Sequence, residues 1–129
     1  MREMPIVAVV AAAVAALIHA WFFVLESVRF MQPEVWRRFG LASDADARVV
    51  RSWAFNQGFY NLFLTAGVAL GLGLAWTGQV DAGRAVVAFT CGSMLAAGLV
   101  LVAHNPAFLR PAAIQAVPPL VALVALAIG

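Results

Sequence analysis

Three amides and a phenol, Asn56, Gln57, Asn61 and Tyr60, fall within six consecutive residues of an otherwise hydrophobic stretch, Trp53-Ala54-Phe55-Asn56-Gln57-Gly58-Phe59-Tyr60-Asn61. Amides in hydrocarbon are costly unless another helix or a ligand satisfies them. So many in two helical turns exceed what helix–helix hydrogen bonding needs, and at least one is expected to meet a ligand or water. Two further polar side chains, His19 and Glu26, stand in the first apolar run, with Phe23 between them. The spacings i+4 and i+7 put the imidazole, the ring and the carboxylate on one side of an α-helix. Glu26 would then be either a titratable or ligand-binding carboxylate, or half of an ion pair with Arg29 or Arg51, with Asn56 and Gln57 as candidate donors. His19 has three readings: a neutral imidazole hydrogen-bonded to Asn61 or Tyr60, a deeper ligand contact or proton relay, or, least favoured, a metal ligand. Gln115 resembles the amides of the second run, although a local role is open to it, since Pro118 frees a backbone carbonyl in the preceding turn.

The same inventory excludes several chemistries. His19 and Glu26 lie about 10 Å apart along a helix axis, too far to bridge one ion without a third group between them. Cys91 is the single cysteine, so neither an intrachain disulfide nor a cysteine-based zinc site can form. No hydrolase triad, phosphate loop or redox cysteine pair is present. Catalytic residues are therefore left unassigned, and neither a metal nor a cofactor is expected.

The elements that must position these groups follow from composition. The 129 residues are 64% hydrophobic and 11% charged, with a mean hydropathy of +0.95, far from the ordinary soluble range. At about 20 residues per span, the length predicts an all-α integral membrane protein, a four-helix bundle forming one domain over residues 1–129. The expected spans are 5–31, 48–76, 82–104 and 111–128. The first could be mistaken for a signal peptide, but its apolar run continues through Trp21, Phe22 and Phe23 to Met31, longer than a signal core. Pro5 suits a first helical position, and Ala8, Ala12, Ala16 and Ala20 form an i,i+4 ladder that lets another helix approach closely.

In the first loop, Pro33 opens a short helical segment that Gly40 closes. Trp36 and Phe39 beside Arg37 and Arg38 fit an interfacial segment, rings at headgroup depth and guanidiniums toward lipid phosphates. Ser43 is placed to cap the next helix, with Asp44 and Asp46 in its first turn, so that helix begins near Asp44. Gly67 and Gly71 give a GxxxG spacing suited to a tight crossing, and Ser93 and Ala97 repeat the small-residue spacing in the third helix. The third helix should stop at His104-Asn105-Pro106, and the last should be interrupted near Pro118-Pro119.

All eight basic residues are arginines. Arg29, Arg37, Arg38, Arg48, Arg51 and Arg110 flank loops one and three, against Arg2 and Arg84 at the opposite ends, which predicts loops one and three in the cytoplasm and both termini outside. Nearly every polar residue within the spans then falls in the cytoplasmic half. The pattern suits membrane orientation rather than nucleic-acid binding.

His19 followed by Glu26, then Asn-Gln-Gly-Phe-Tyr-Asn-Leu-Phe-Leu over Asn56 to Leu64, then Gln115 followed by Pro118, resembles the small bacterial membrane proteins grouped as domain of unknown function 1304. The resemblance covers nearly the whole chain and implies four spans, with no activity attached. The reading reached here is a bacterial-type inner-membrane protein that binds or moves a small molecule at a polar site in the cytoplasmic half. Its ligand-binding residues would be His19, Glu26, Asn56, Gln57, Tyr60, Asn61 and Gln115. The alternatives are a cofactor-free membrane enzyme on a lipophilic substrate, with His19 and Glu26 as acid and base, and an accessory subunit whose polar cluster locks the bundle. Expected partners are the lipid bilayer, a small-molecule ligand and a second copy of the chain, docked through Gly67 and Gly71 or the alanine ladder.

Overall fold

The computed structural model describes residues 3–129; Arg2, counted above among the outer arginines, lies outside the described residues. Helix α1 (Ile6–Phe23) continues into a π turn (Val24–Val28). A four-residue helix α2 (Pro33–Trp36) then runs into a 3-10 turn (Arg37–Phe39). Next come α3 (Asp44–Trp76), α4 (Val80–His104), a second 3-10 turn (Pro106–Phe108) and α5 (Leu109–Ile128). No strand occurs among the described residues. The stretches Ile6–Val28, Asp44–Trp76, Val80–His104 and Pro106–Ile128 are each long and apolar enough to cross a membrane. This is the all-α, four-span architecture, with a short helical segment in the first loop, that hydropathy predicts.

Local chemistry sets the helix ends. Pro33 occupies the first turn of α2, and Gly40 closes the following 3-10 turn with φ of 80°, a left-handed conformation that glycine adopts without a Cβ penalty. Ser43 caps α3: its Oγ accepts from the Asp46 N–H at 3.1 Å. One turn on, Arg48 donates to Asp44 at 2.7 Å. After α4, the Asn105 side-chain oxygen accepts from the Ala107 N–H at 3.0 Å, which fixes the turn before Pro106 starts the next segment. Helix α5 runs unbroken through Pro118 and Pro119. The expected interruption does not occur, because packing holds a helical path that the missing N–H groups alone would weaken. Gln115 spends its amide on another helix, donating to the Met94 carbonyl at 3.3 Å rather than serving its own turn.

The chain divides into two compact units, one of Met1–Ile18 with Leu64–Gly129 and one of His19–Phe63. The first draws its core from all four long helices: Ala8, Ala12, Ala15 and Ala16 of α1, Val68 of α3, Val87, Cys91 and Met94 of α4, and Ala122, Ala125 and Leu126 of α5. Small residues decide how closely these helices approach. A Cβ on Gly71 would stand 2.7 Å from Val87 Cγ2 and 3.0 Å from the Gly83 carbonyl, and one on Gly67 would stand 2.7 Å from Thr90 Oγ1. The GxxxG pair is thus a crossing of α3 on α4 within one chain. Polar groups in this unit are spent on carbonyls: Thr65 donates to Ala16 O at 2.8 Å, and Arg84 donates to Leu126 O at 2.7 Å, placing a cation at the C-terminal end of α5.

The second unit holds the end of α1, the π turn, α2 and the N-terminal half of α3. Leu25, Phe30, Val35, Trp36 and Ala47 form its core. Trp36 is only 5% exposed, and the Arg37 guanidinium stands 5.3 Å from its ring centroid. Its ring is a packing element of this unit, where the sequence suggests a headgroup anchor. The first-turn proline and the tight 3-10 turn after it fold the segment back on itself and turn Val35 and Trp36 inward.

Candidate functional site

The second unit owes its geometry to one close approach. Ser27, in the π turn, lies against Gly58 of α3, so near that a Cβ on Gly58 would overlap Ser27 Oγ and stand 3.1 Å from the Ser27 backbone nitrogen. The same hydroxyl donates to the Phe55 carbonyl at 2.7 Å. Gly58 is therefore what lets α3 reach the end of α1, and Ser27 ties the two together. Directly after Ser27 the helix closes through the Arg29 N–H, which donates to Val24 O at 2.8 Å across five positions. Such a turn advances less per residue than an α turn. Glu26 is thereby swung away from the line it would share with His19 in an unbroken α-helix.

The carboxylate lands beside α3. Asn61 Nδ2 donates to Glu26 Oε1 at 2.7 Å, and also reaches the Gln57 carbonyl one turn back at 3.3 Å. Both side chains are buried, Glu26 at 9% exposed and Asn61 at 8%. The expected arginine partners of Glu26 are engaged elsewhere or too distant. Arg29 donates to Gln32 Oε1 at 3.1 and 2.9 Å, approaches Glu34 at 3.8 Å and lies 5.8 Å from the Trp21 ring centroid. Among the described residues, the ion pairs are Arg29 with Glu34 and Arg48 with Asp44. No arginine nitrogen among the described residues lies within 4 Å of a Glu26 carboxylate oxygen.

Glu26 borders two cavities. The larger, open to the outside, has a volume of about 420 Å³ and is lined by Glu26, Phe30, Phe39, Leu41, Val50, Trp53, Ala54 and Gln57. A smaller one of about 50 Å³ lies between Glu26, Ser27, Phe30, Arg51 and Phe55, with Val28 and Met31 completing its wall. The larger is an open cleft rather than an enclosed cavity, with apolar walls, three aromatic rings, one carboxylate and one amide.

The polar groups singled out in the sequence separate into sets. Glu26, Gln57 and Asn61 come together. Asn56 and Tyr60, one turn apart from each other, share a different face of α3; both are exposed, as is Gln57, and Tyr60 has its ring against Phe63 at 6.3 Å. His19 is fully buried, its ring edge-on to Phe22 at 5.3 Å, and lines neither cavity. Gln115 belongs to the other unit, where it reaches Met94. Sequence reasoning overlooked the apolar lining and Ser27. The i,i+3 and i,i+4 recurrence of Val50, Trp53, Ala54 and Gln57 on one helix was the signal available for the lining.

The converging groups are a carboxylate and amides; among the described residues no three His, Cys, Asp or Glu side chains gather closely enough to hold a metal ion. Comparison with curated proteins and with solved structures finds no match. The family described as "Protein of unknown function (DUF1304)" matches residues 13–127, which include α3, α4, almost all of α5 and every residue of the Glu26 site. The chain belongs to that family.

Proposed function

We propose that this protein is a bacterial inner-membrane protein that binds a small molecule in the open cavity beside Glu26, with Glu26 and Gln57 in contact with the ligand and Asn61 holding the carboxylate in place. The observation that carries the reading is the combination of a buried carboxylate with a single side-chain donor and a 420 Å³ cavity at its side. A polar cluster serving only to lock helices together would close on itself. Catalysis by His19 and Glu26 as an acid–base pair has less support, because the cavity that Glu26 borders does not reach His19.

The length of α3 bears on where the cavity sits. Its 33 residues extend about 50 Å, against about 30 Å of hydrocarbon. With the apolar end at Trp76 inside the bilayer, roughly the first dozen residues, which carry Asp44, Asp46, Arg48 and Arg51, stand in the headgroup region or beyond it. Gln57 then lies near the boundary, and the arginine distribution supports a cytoplasmic side for that boundary. A ligand would enter from the interface.

The test is to identify small molecules that copurify with the wild-type protein by mass spectrometry, beside Glu26→Gln and Gln57→Ala at matched thermal stability. A compound enriched on the wild type and depleted from both variants is the expected result. Equal metabolite and lipid content in all three would overturn the proposal.

A further inference from the structure

The chemistry of the cavity specifies the charge of its occupant. Glu26 is the one charged side chain among the residues that line the larger cavity. One of its oxygens accepts from Asn61, and the other accepts from no donor among the described residues. The arginine three positions away is drawn off by Gln32 and Glu34. Asn61 is neutral, and Arg51, which shares the wall of the smaller cavity with Glu26, makes no ion pair with it within 4 Å, so the carboxylate has a hydrogen bond but no paired countercharge. Around it stand Phe30, Phe39 and Trp53, whose ring faces attract cations, together with Leu41, Val50 and Ala54. An anion here would meet an uncompensated carboxylate in an apolar setting; a neutral molecule would leave it uncompensated.

We infer that the ligand of this cavity is a lipophilic organic cation, an ammonium or similar centre on an apolar or aromatic body, with its charge on Glu26 and its body against Phe30, Phe39 and Trp53. This rests on the proposal that the cavity is a binding site and adds the class of ligand. The cation supplies the missing countercharge, while the rings and aliphatic side chains cover the body. Selection against anions comes from the same carboxylate, as like-charge repulsion.

The experiment uses the full chain in a non-ionic detergent and three aromatic probes of similar shape: tetraphenylphosphonium, neutral triphenylphosphine oxide and tetraphenylborate. Binding is read by calorimetry and by the fluorescence of the tryptophans. The expected result is saturable binding of the phosphonium, at least tenfold weaker binding of the neutral probe and none of the borate. Glu26→Gln should lose at least tenfold in phosphonium affinity and bring the cation level with the neutral probe. Trp53→Ala, which leaves the Glu26–Asn61 hydrogen bond untouched, should weaken the phosphonium severalfold and guards against misfolding of the Glu26 variant. Phosphonium and neutral probe binding alike, or phosphonium affinity unchanged in Glu26→Gln, overturns the inference. If a neutral compound binds and Trp53→Ala abolishes it, the cavity stands as a binding site and only the charge assignment fails. If no probe binds and no copurifying molecule is found, the binding site itself fails, and the inference with it.

Discussion

Asn61 donates to Glu26 Oε1 at 2.7 Å, joining α3 to the π turn between residues thirty-five apart in sequence. Both are buried, so each is the other's main compensation for leaving water. Hydrogen bonds to charged groups contribute about 1.5–3 kcal/mol, and leaving one partner behind costs a similar amount. Replacing Asn61 by Ala should therefore destabilise the protein by about 1–3 kcal/mol. A double-mutant cycle with Glu26→Ala, read by unfolding in detergent, should return a coupling of about 1–2 kcal/mol. Strictly additive effects would mean that the pair does not interact.

The contact between Gly58 and Ser27 makes a second prediction. Gly58→Ala drives a methyl group into Ser27 Oγ, and overpacking of this kind costs about 1–3 kcal/mol. Adding Ser27→Ala should recover part of that loss, although the Ser27 backbone nitrogen at 3.1 Å remains. Thermal melts of the two single variants and the double variant check it. A double variant no better than Gly58→Ala would show that the hydroxyl is not the obstacle.

Two glycines in α3 should respond in opposite ways to the same substitution. Gly71→Ala meets Val87 and the Gly83 carbonyl and should lower stability by about 1–3 kcal/mol. Gly73→Ala meets nothing within 4 Å and should be neutral or stabilising by up to about 1 kcal/mol, through the better helix propensity of alanine. Equal melting temperatures for the two variants would rule out the α3–α4 crossing. Gly67 and Gly71 face α4, and Ala8, Ala12 and Ala16 of the α1 ladder are buried in the core of the chain, while Ala20 is partly exposed.

Topology can be read with cysteines. Cys91 is buried, so a membrane-impermeant maleimide should report on introduced sites. Glu34→Cys and Ala107→Cys, in the first and third connections, should be labelled only after cells are opened, and Gln79→Cys in intact cells. The reverse pattern would invert the orientation drawn from the arginines, and labelling of all three from one side would break the four-span topology.

How much of the site was legible follows from the range of each interaction. The glutamate, the amides and their helices are visible in the sequence because a polar group in an apolar run is conspicuous without reference to anything distant. Which amide meets the carboxylate was not visible. Counting outward from the first loop matches Glu26 with Gln57, whereas the hydrogen bond goes to Asn61, one turn further along, while Gln57 contributes its side chain to the cavity wall. The offset comes from the π turn and the Ser27–Gly58 approach, and neither has a signature that reads ahead of the packing that produces it.

By itself, then, the sequence determined the four apolar helices, the capping of α3 by Ser43, the proline and glycine that bound the first-loop segment, and the small residues through which helices approach. All of these depend on hydropathy summed over a span, or on groups within four residues of one another. Only the tertiary structure decided that Asn61 rather than Gln57 holds Glu26, that Arg29 turns to Gln32 and Glu34, that Trp36 packs inward and that Gln115 reaches Met94. These choices depend on the angle and offset at which one helix meets the next, and a difference of a single turn, about 5.4 Å, changes every partner.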